Sequence, residues 1–234
     1  MNYLEAIKKS FLVSLNTGPR SNEKLKVLHG FIAKDLQNKL GKDYTIKSLG
    51  YGTGKESKIK GRYMDKNVDI TIEKNGKAIA GIAVKFVMSN YSQNSNNYFE
   101  NMLGETANIR ANRVPYFQIF IVPDTLPYYK KNGDISKWEN ITQNNVQKYI
   151  KISEDNIDSF YHTPNKTLFT IISLGEFIGE TPKNASEYKD YFLKNEFEIN
   201  YSDLVIEFDN QTIYNDYEEF IEKVYHAILS LWFF

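Results

Sequence analysis

A chain of 234 residues with 41% hydrophobic and 25% charged side chains can bury a full core, and its balance excludes disorder, collagen-like repeats and low-complexity tails. The absence of cysteine excludes disulfide scaffolds, thiolate zinc sites and cysteine nucleophiles, and three scattered histidines (His29, His162, His226) do not suggest a metal cluster. The formal charge is zero but polarised: residues 1–66 hold 14 basic and 6 acidic side chains (+8), whereas residues 176–234 hold 4 and 13 (−9), so the first part permits a polyanionic partner.

The opening segment, MNYLEAIKKSFLVSL, carries Glu5, Lys8 and Lys9 and does not read as a secretory leader. No apolar run approaches the roughly 20 residues of a membrane span, so a cytoplasmic protein without a membrane partner is expected. Apolar spacing predicts helices over 3–15 and 22–40, with Ser21 as a cap and His29 on the apolar face of the second, where it reads as a satisfied core residue. Residues 50–62, GYGTGKESKIKGR, predict a loop or irregular strand pair; the segment fails as a phosphate-binding loop because Leu49 and Glu56 stand where glycine and a hydroxyl residue are needed.

VDITIE (68–73) alternates like a strand, Asn75-Gly76 marks a tight hairpin, and AIAGIAVKFVM (78–88) reads as a central strand whose one charge is Lys85. A polar loop over 89–97 precedes a helix over 97–111, and YFQIFIV (116–122) forms the next buried strand. Beyond it the pattern predicts helix over 136–151, strand over 167–174, helix over 186–195, a short strand over 203–208 and an amphipathic helix over 215–232 ending near Trp232. The sum is an α/β (α+β) chain with a mixed central sheet flanked by helices. One domain over 1–234 is expected, with a core about 44–125, helices 1–43 before it and helical and strand additions over 126–234.

The hairpin carries the chemistry. It brings Asp69 and Lys85 to one end of the sheet, where a carboxylate can hold Mg²⁺ and an ammonium can stabilise charge on a phosphate or orient an attacking water. The alternative is a structural ion pair.

Val68-Asp69 followed by Ala83-Val84-Lys85 resembles the PD-(D/E)XK nucleases, above all the type II restriction endonucleases, over about residues 50–122. Val68 replaces the proline of that pattern and Ala83 replaces its second acid. The resemblance implies a restriction-endonuclease-like core, hydrolysis of double-stranded DNA with Mg²⁺ (Mn²⁺ substituting), and a homodimer. It implies that Asp69 and a glutamate of the following helix, Glu105 or Glu100, bind metal, that Glu56 completes the shell, and that Lys85 positions water. Lys55, Lys58, Lys60 and Arg62, with the amides Asn90, Gln93, Asn94, Asn96 and Asn97, are candidate DNA contacts, and Tyr91 and Tyr98 candidate stacking partners. The rival expectation, prompted by Ala83, is a catalytically inactive nuclease-fold module for DNA binding or interaction.

Overall fold

The computed structural model describes residues 1–18 and 21–231, so Pro19, Arg20 and Trp232 to Phe234 lie outside the described residues. Among the described residues, helices α1 (Tyr3–Thr17) and α2 (Glu23–Leu40) open the chain. Asn2 closes α1 with a capping box, its side chain accepting from the Glu5 amide. Ser21 Oγ accepts from the Glu23 amide at 3.2 Å, although Asn22 occupies the N-cap of α2.

Strands β1 (Thr45–Ser48), β2 (Ser57–Lys60), β3 (Asp65–Val68), β4 (Ile70–Lys74) and β5 (Lys77–Phe86) follow. β4 and β5 pair antiparallel across Asn75 and Gly76, whose φ angles of 52° and 72° give the left-handed pair that a two-residue hairpin requires. Helix α3 (Tyr91–Arg110) returns the chain to β6 (Tyr116–Pro123), which lies parallel to β5. The predicted polar loop over 89–97 is therefore mostly helix. Asn90 takes a left-handed φ of 51° and Tyr91 is buried, its hydroxyl donating to Asn145 O at 2.8 Å, and these anchors start α3 early despite its asparagine-rich first turns.

The second half departs further from expectation. Residues 136–140 are not helix but part of a hairpin of β7 (Thr125–Tyr129) and β8 (Ile135–Asn140), with α4 (Gln143–Ser153) after it. Trp138 seats β8 by packing 5.0 Å from Phe177 and 5.7 Å from Tyr188, tertiary contacts that override local helical spacing. β9 (Lys166–Ser173) and α5 (Ala185–Lys194) fall where spacing puts them. The predicted strand over 203–208 is irregular, and the pairing is made instead by β10 (Asn200–Tyr201) and β11 (Thr212–Tyr214). Helix α6 (Tyr217–Ser230) ends the described chain.

The result is an α+β fold with a mixed sheet flanked by helices. The strands run β1-β4-β5-β6-β9-β10, with β11 beside β9; β5, β6 and β9 are parallel, while β1, β4 and β10 are antiparallel to their neighbours. β6 is buried at every position, as a central parallel strand covered on both faces must be. Phe117, Ile119 and Ile121 join α1, α2, α5 and α6 on one face, and Phe120 and Val122 join α3 and α4 on the other. None of the helices among the described residues is long and apolar enough to cross a membrane.

Candidate functional site

Asp69 does not lie inside a continuous strand over 68–73. It occupies a bend between β3 and β4, which lets its carboxylate turn toward β5. The Val84 amide donates a 2.7 Å hydrogen bond to Asp69 Oδ2. Since Ile70 faces Ile82 in the hairpin register, Asp69 stands at the level of Ala83, the position where the nuclease pattern carries its second acid.

Ala83 and Lys85 point to the same side of β5, toward α3. With Asp69, Tyr98, Met102 and Glu105 they line a cavity of about 280 Å³ at the sheet end. Lys85 Nζ lies 4.2 Å from the centre of the Tyr98 ring, a cation–π contact that holds the ammonium at the cavity mouth. Lys85 is solvent-accessible there, not enclosed between two helical layers. Desolvation by the cavity wall lowers its pKa, the Asp69 charge raises it, and Lys24 lowers it again.

A third group completes the corner. His29 of α2, Glu56 and Asp69 each offer a ligand atom, all within 4.8 Å of one another, and His29 Nδ1 stands 4.0 Å from Asp69 Oδ1. His29 is buried, as its place on the apolar face of α2 predicts, but it is not satisfied: neither ring nitrogen has a hydrogen-bond partner. An unpaired buried polar group costs about 1–3 kcal/mol. Burial pushes the imidazole pKa down to about 4, so the ring is neutral at pH 7 and presents a lone pair. Burial also pushes the Asp69 carboxyl up to about 6, against the Val84 hydrogen bond and with Glu105 adding repulsion and Lys85 opposing it. Glu56 is raised by burial and then by the Asp69 charge.

The local packing explains how α2 reaches this corner. Gly50 takes a φ of +76°, and a Cβ there would sit 2.0 Å from Lys26 O, so only glycine allows the loop after β1 to lie against α2. That contact sets His29 beside the end of β3. One His nitrogen and two carboxylates, their ligand atoms within 4.8 Å of one another, are a donor set able to hold a divalent metal ion.

The two helix glutamates separate cleanly. Glu100 is exposed and lies outside the cavity, while Glu105 faces in but is already engaged: Tyr116 Oη donates to it and Lys66 Nζ pairs with it at 3.1 Å. Glu105 is not part of the His29, Glu56 and Asp69 cluster, which draws its histidine from α2.

Among the polar candidates, Lys55, Lys58, Lys60, Arg62, Gln93, Asn96 and Asn97 are exposed. Asn90 is a latch for β7: its Nδ2 donates to Tyr129 O at 3.0 Å and its Oδ1 accepts from the Tyr129 amide at 3.1 Å. Asn94 donates to Asn90 O at 3.2 Å, and the buried Tyr91 is not available for stacking. A larger cavity of about 740 Å³ between α3 and α4 contains His162, 3.4 Å from Asp155, but it does not include the carboxylate, lysine and histidine that meet at Asp69. Volume is a poorer guide here than chemistry.

Compared with family models, curated proteins and solved structures, the chain has no match.

Proposed function

We propose that the protein is a metal-dependent endonuclease that hydrolyses phosphodiester bonds of double-stranded DNA, in the manner of a type II restriction enzyme. The observation that supports this best is the convergence of His29, Glu56 and Asp69 beside Lys85 at the end of one hairpin, with the two nitrogens of His29 unpartnered. The orphaned imidazole and two carboxylates fit a divalent cation, Mn²⁺ or Mg²⁺. Bound there, the cation supplies acidification of water and neutralisation of charge on a phosphate.

The chain's own residues supply the rest. Lys85, held by Tyr98 over the cavity, offers a cation to a phosphate oxygen whose charge grows as the bond breaks. The Val84 amide fixes Asp69 Oδ2 and leaves Oδ1 facing His29. Glu105 orients Lys66 and Tyr116 instead of serving as a ligand. Two cuts in a duplex suit two copies of the site, so a homodimer belongs to the proposal.

A second reading has its own observation. Ala83 leaves the strand position opposite Asp69 without an acid, which suits a module that binds DNA and does not cut it. Incubating mixed plasmid and phage DNA with Mg²⁺ or Mn²⁺ separates the two. Discrete fragments from the wild type, absent with Asp69→Ala, support the enzyme; intact DNA under all conditions, with binding retained, supports the module.

A further inference from the structure

We propose that the ribbon formed by β2 and β3 enters a groove of duplex DNA and that Tyr63 and Met64 at its tip insert between adjacent base pairs. This rests on the reading of duplex DNA as the partner of the Asp69 site.

Two large apolar side chains sit side by side in full solvent, Tyr63 76% and Met64 62% exposed. Single exposed apolar residues are ordinary, but these two crown a tip whose backbone is thoroughly fastened. Asn108 of α3 accepts from the Tyr63 amide at 2.9 Å and the Met64 amide at 3.3 Å, and donates to Met64 O at 2.8 Å. The Arg62 amide donates to Asn108 O at 2.8 Å, and Asn112 Nδ2 donates to Lys60 O at 2.7 Å. A Cβ on Gly61 would lie 2.1 Å from Asn108 Nδ2, so glycine is what lets the tip close on the helix. A tip held this firmly loses little conformational freedom when its side chains enter a ligand, which is the energetic meaning of preorganisation.

The flanks identify the ligand. Lys58, Lys60 and Arg62 are exposed on the ribbon, with Lys55 just before it; Asp65 and Asn67 lie across from Lys60 and Lys58. Cations beside a small apolar tip match phosphates beside stacked bases. Two residues are far too little apolar surface for a stable protein interface, which needs about 800 Å² from each partner. Two-stranded ribbons read either groove, and apolar wedges entering from the minor groove are a common means of unstacking a base step.

Position ties the tip to the chemistry. Asn108 lies one helical turn beyond Glu105 on α3, and Met64 precedes Asp69 by five residues of extended chain, about 17 Å.

The test uses duplexes carrying 2-aminopurine, titrated with protein in EDTA so that no strand is cut. The wild type is expected to raise the fluorescence as the base unstacks. Tyr63→Ala combined with Met64→Ala is expected to abolish the rise and weaken binding roughly 10- to 100-fold, with thermal melting unchanged. Lys60→Ala keeps the fluorescence rise and lowers the slope of log affinity against log salt by about one. A double variant that binds and unstacks DNA like the wild type overturns the inference, as does tighter binding to single strands than to duplex. If the wild type unstacks DNA as described but cuts none with Mn²⁺ or Mg²⁺, the ribbon assignment stands and the nuclease reading falls. If the wild type cuts DNA while the double variant binds unchanged, the ribbon assignment falls alone.

Discussion

His29 Nδ1 and Asp69 Oδ1 face each other at 4.0 Å, too far for a hydrogen bond and close enough for one cation to take both. The gap brings helix α2 to the bend between β3 and β4 and sets a buried, unpartnered imidazole beside two carboxylates, the corner proposed to bind metal. A nitrogen donor favours Mn²⁺ over Mg²⁺. Mn²⁺ is therefore expected to raise the melting temperature more than Mg²⁺ at equal concentration. At a hundred times the dissociation constant the gain is about 2.7 kcal/mol, or roughly 5–11 °C for a chain of this size. Replacing His29→Ala is expected to remove the Mn²⁺ advantage, read by differential scanning fluorimetry; equal shifts from both ions in wild type and variant contradict it.

Asp69 sets a pH dependence whose sign is opposite to that of an ordinary ion-paired carboxylate. Its folded pKa of about 6 lies above the value near 4 of an unfolded aspartate, so the folded state binds more protons between pH 4 and 6. Stability of the metal-free protein therefore falls as pH rises through that window and levels off above pH 7, while metal affinity rises over the same range. Asp69→Asn removes the term and keeps an acceptor for the Val84 amide. It is expected to stabilise the metal-free protein at pH 8 by about 1–3 kcal/mol. Urea titrations at pH 4.5 and pH 8 check this; a variant destabilised at pH 8 is the contrary result.

Lys85→Ala is expected to lower DNA cleavage about 10²- to 10³-fold, the usual cost of losing one preorganised charge at a reacting phosphate. The melting temperature stays near wild type, because the Lys85 ammonium is exposed at the cavity mouth. Lys85→Arg does not restore the rate, since a guanidinium stacks flat on the Tyr98 ring and does not present the compact point charge of an ammonium to the phosphate. A Lys85→Ala variant that cuts at the wild-type rate removes Lys85 from the chemistry.

The two α3 glutamates give opposite outcomes. Glu100→Gln changes neither cleavage nor metal affinity, because the side chain is exposed outside the cavity. Glu105→Gln removes the ion pair with Lys66 while its amide oxygen still accepts from Tyr116, so it slows cleavage by loosening β3 yet leaves the dissociation constant of Mn²⁺ within about twofold. Calorimetry on both variants checks this, and loss of Mn²⁺ binding in Glu105→Gln returns Glu105 to the ligand set.

Arg110 offers a purely structural check. Its buried guanidinium donates to the carbonyls of Ile157, Phe160 and Thr163 at 2.6–2.8 Å and fastens the loop after α4. Arg110→Met leaves those acceptors without their partner and is expected to cost about 2–4 kcal/mol in urea unfolding. An unchanged midpoint contradicts the anchoring role.

The sequence makes the hairpin and its polar pair legible because the signals are local. Asn75-Gly76 dictates the turn, alternation marks the first strand and a nearly continuous apolar run the second, and a lone lysine in that run demands an opening beside it. The three-way corner is not legible in this way. His29 lies forty residues before Asp69, and it arrives there through a backbone contact between Gly50 and Lys26 that no periodicity encodes. The choice between Glu100 and Glu105 is half legible: helical spacing favours Glu105 for the inner face, but its engagement by Lys66 and Tyr116 depends on strands that spacing cannot align. The β7–β8 hairpin escapes for a related reason, since Trp138 is committed to strand by aromatic partners some forty to fifty residues away.

Isothermal titration of the metal-free protein with Mn²⁺ tests the central claim most directly. One ion per chain is expected for the wild type, with affinity reduced at least tenfold in His29→Ala and abolished in Asp69→Ala while both variants stay folded. Binding absent from the wild type, or unchanged in both variants, contradicts a metal site built from His29, Glu56 and Asp69.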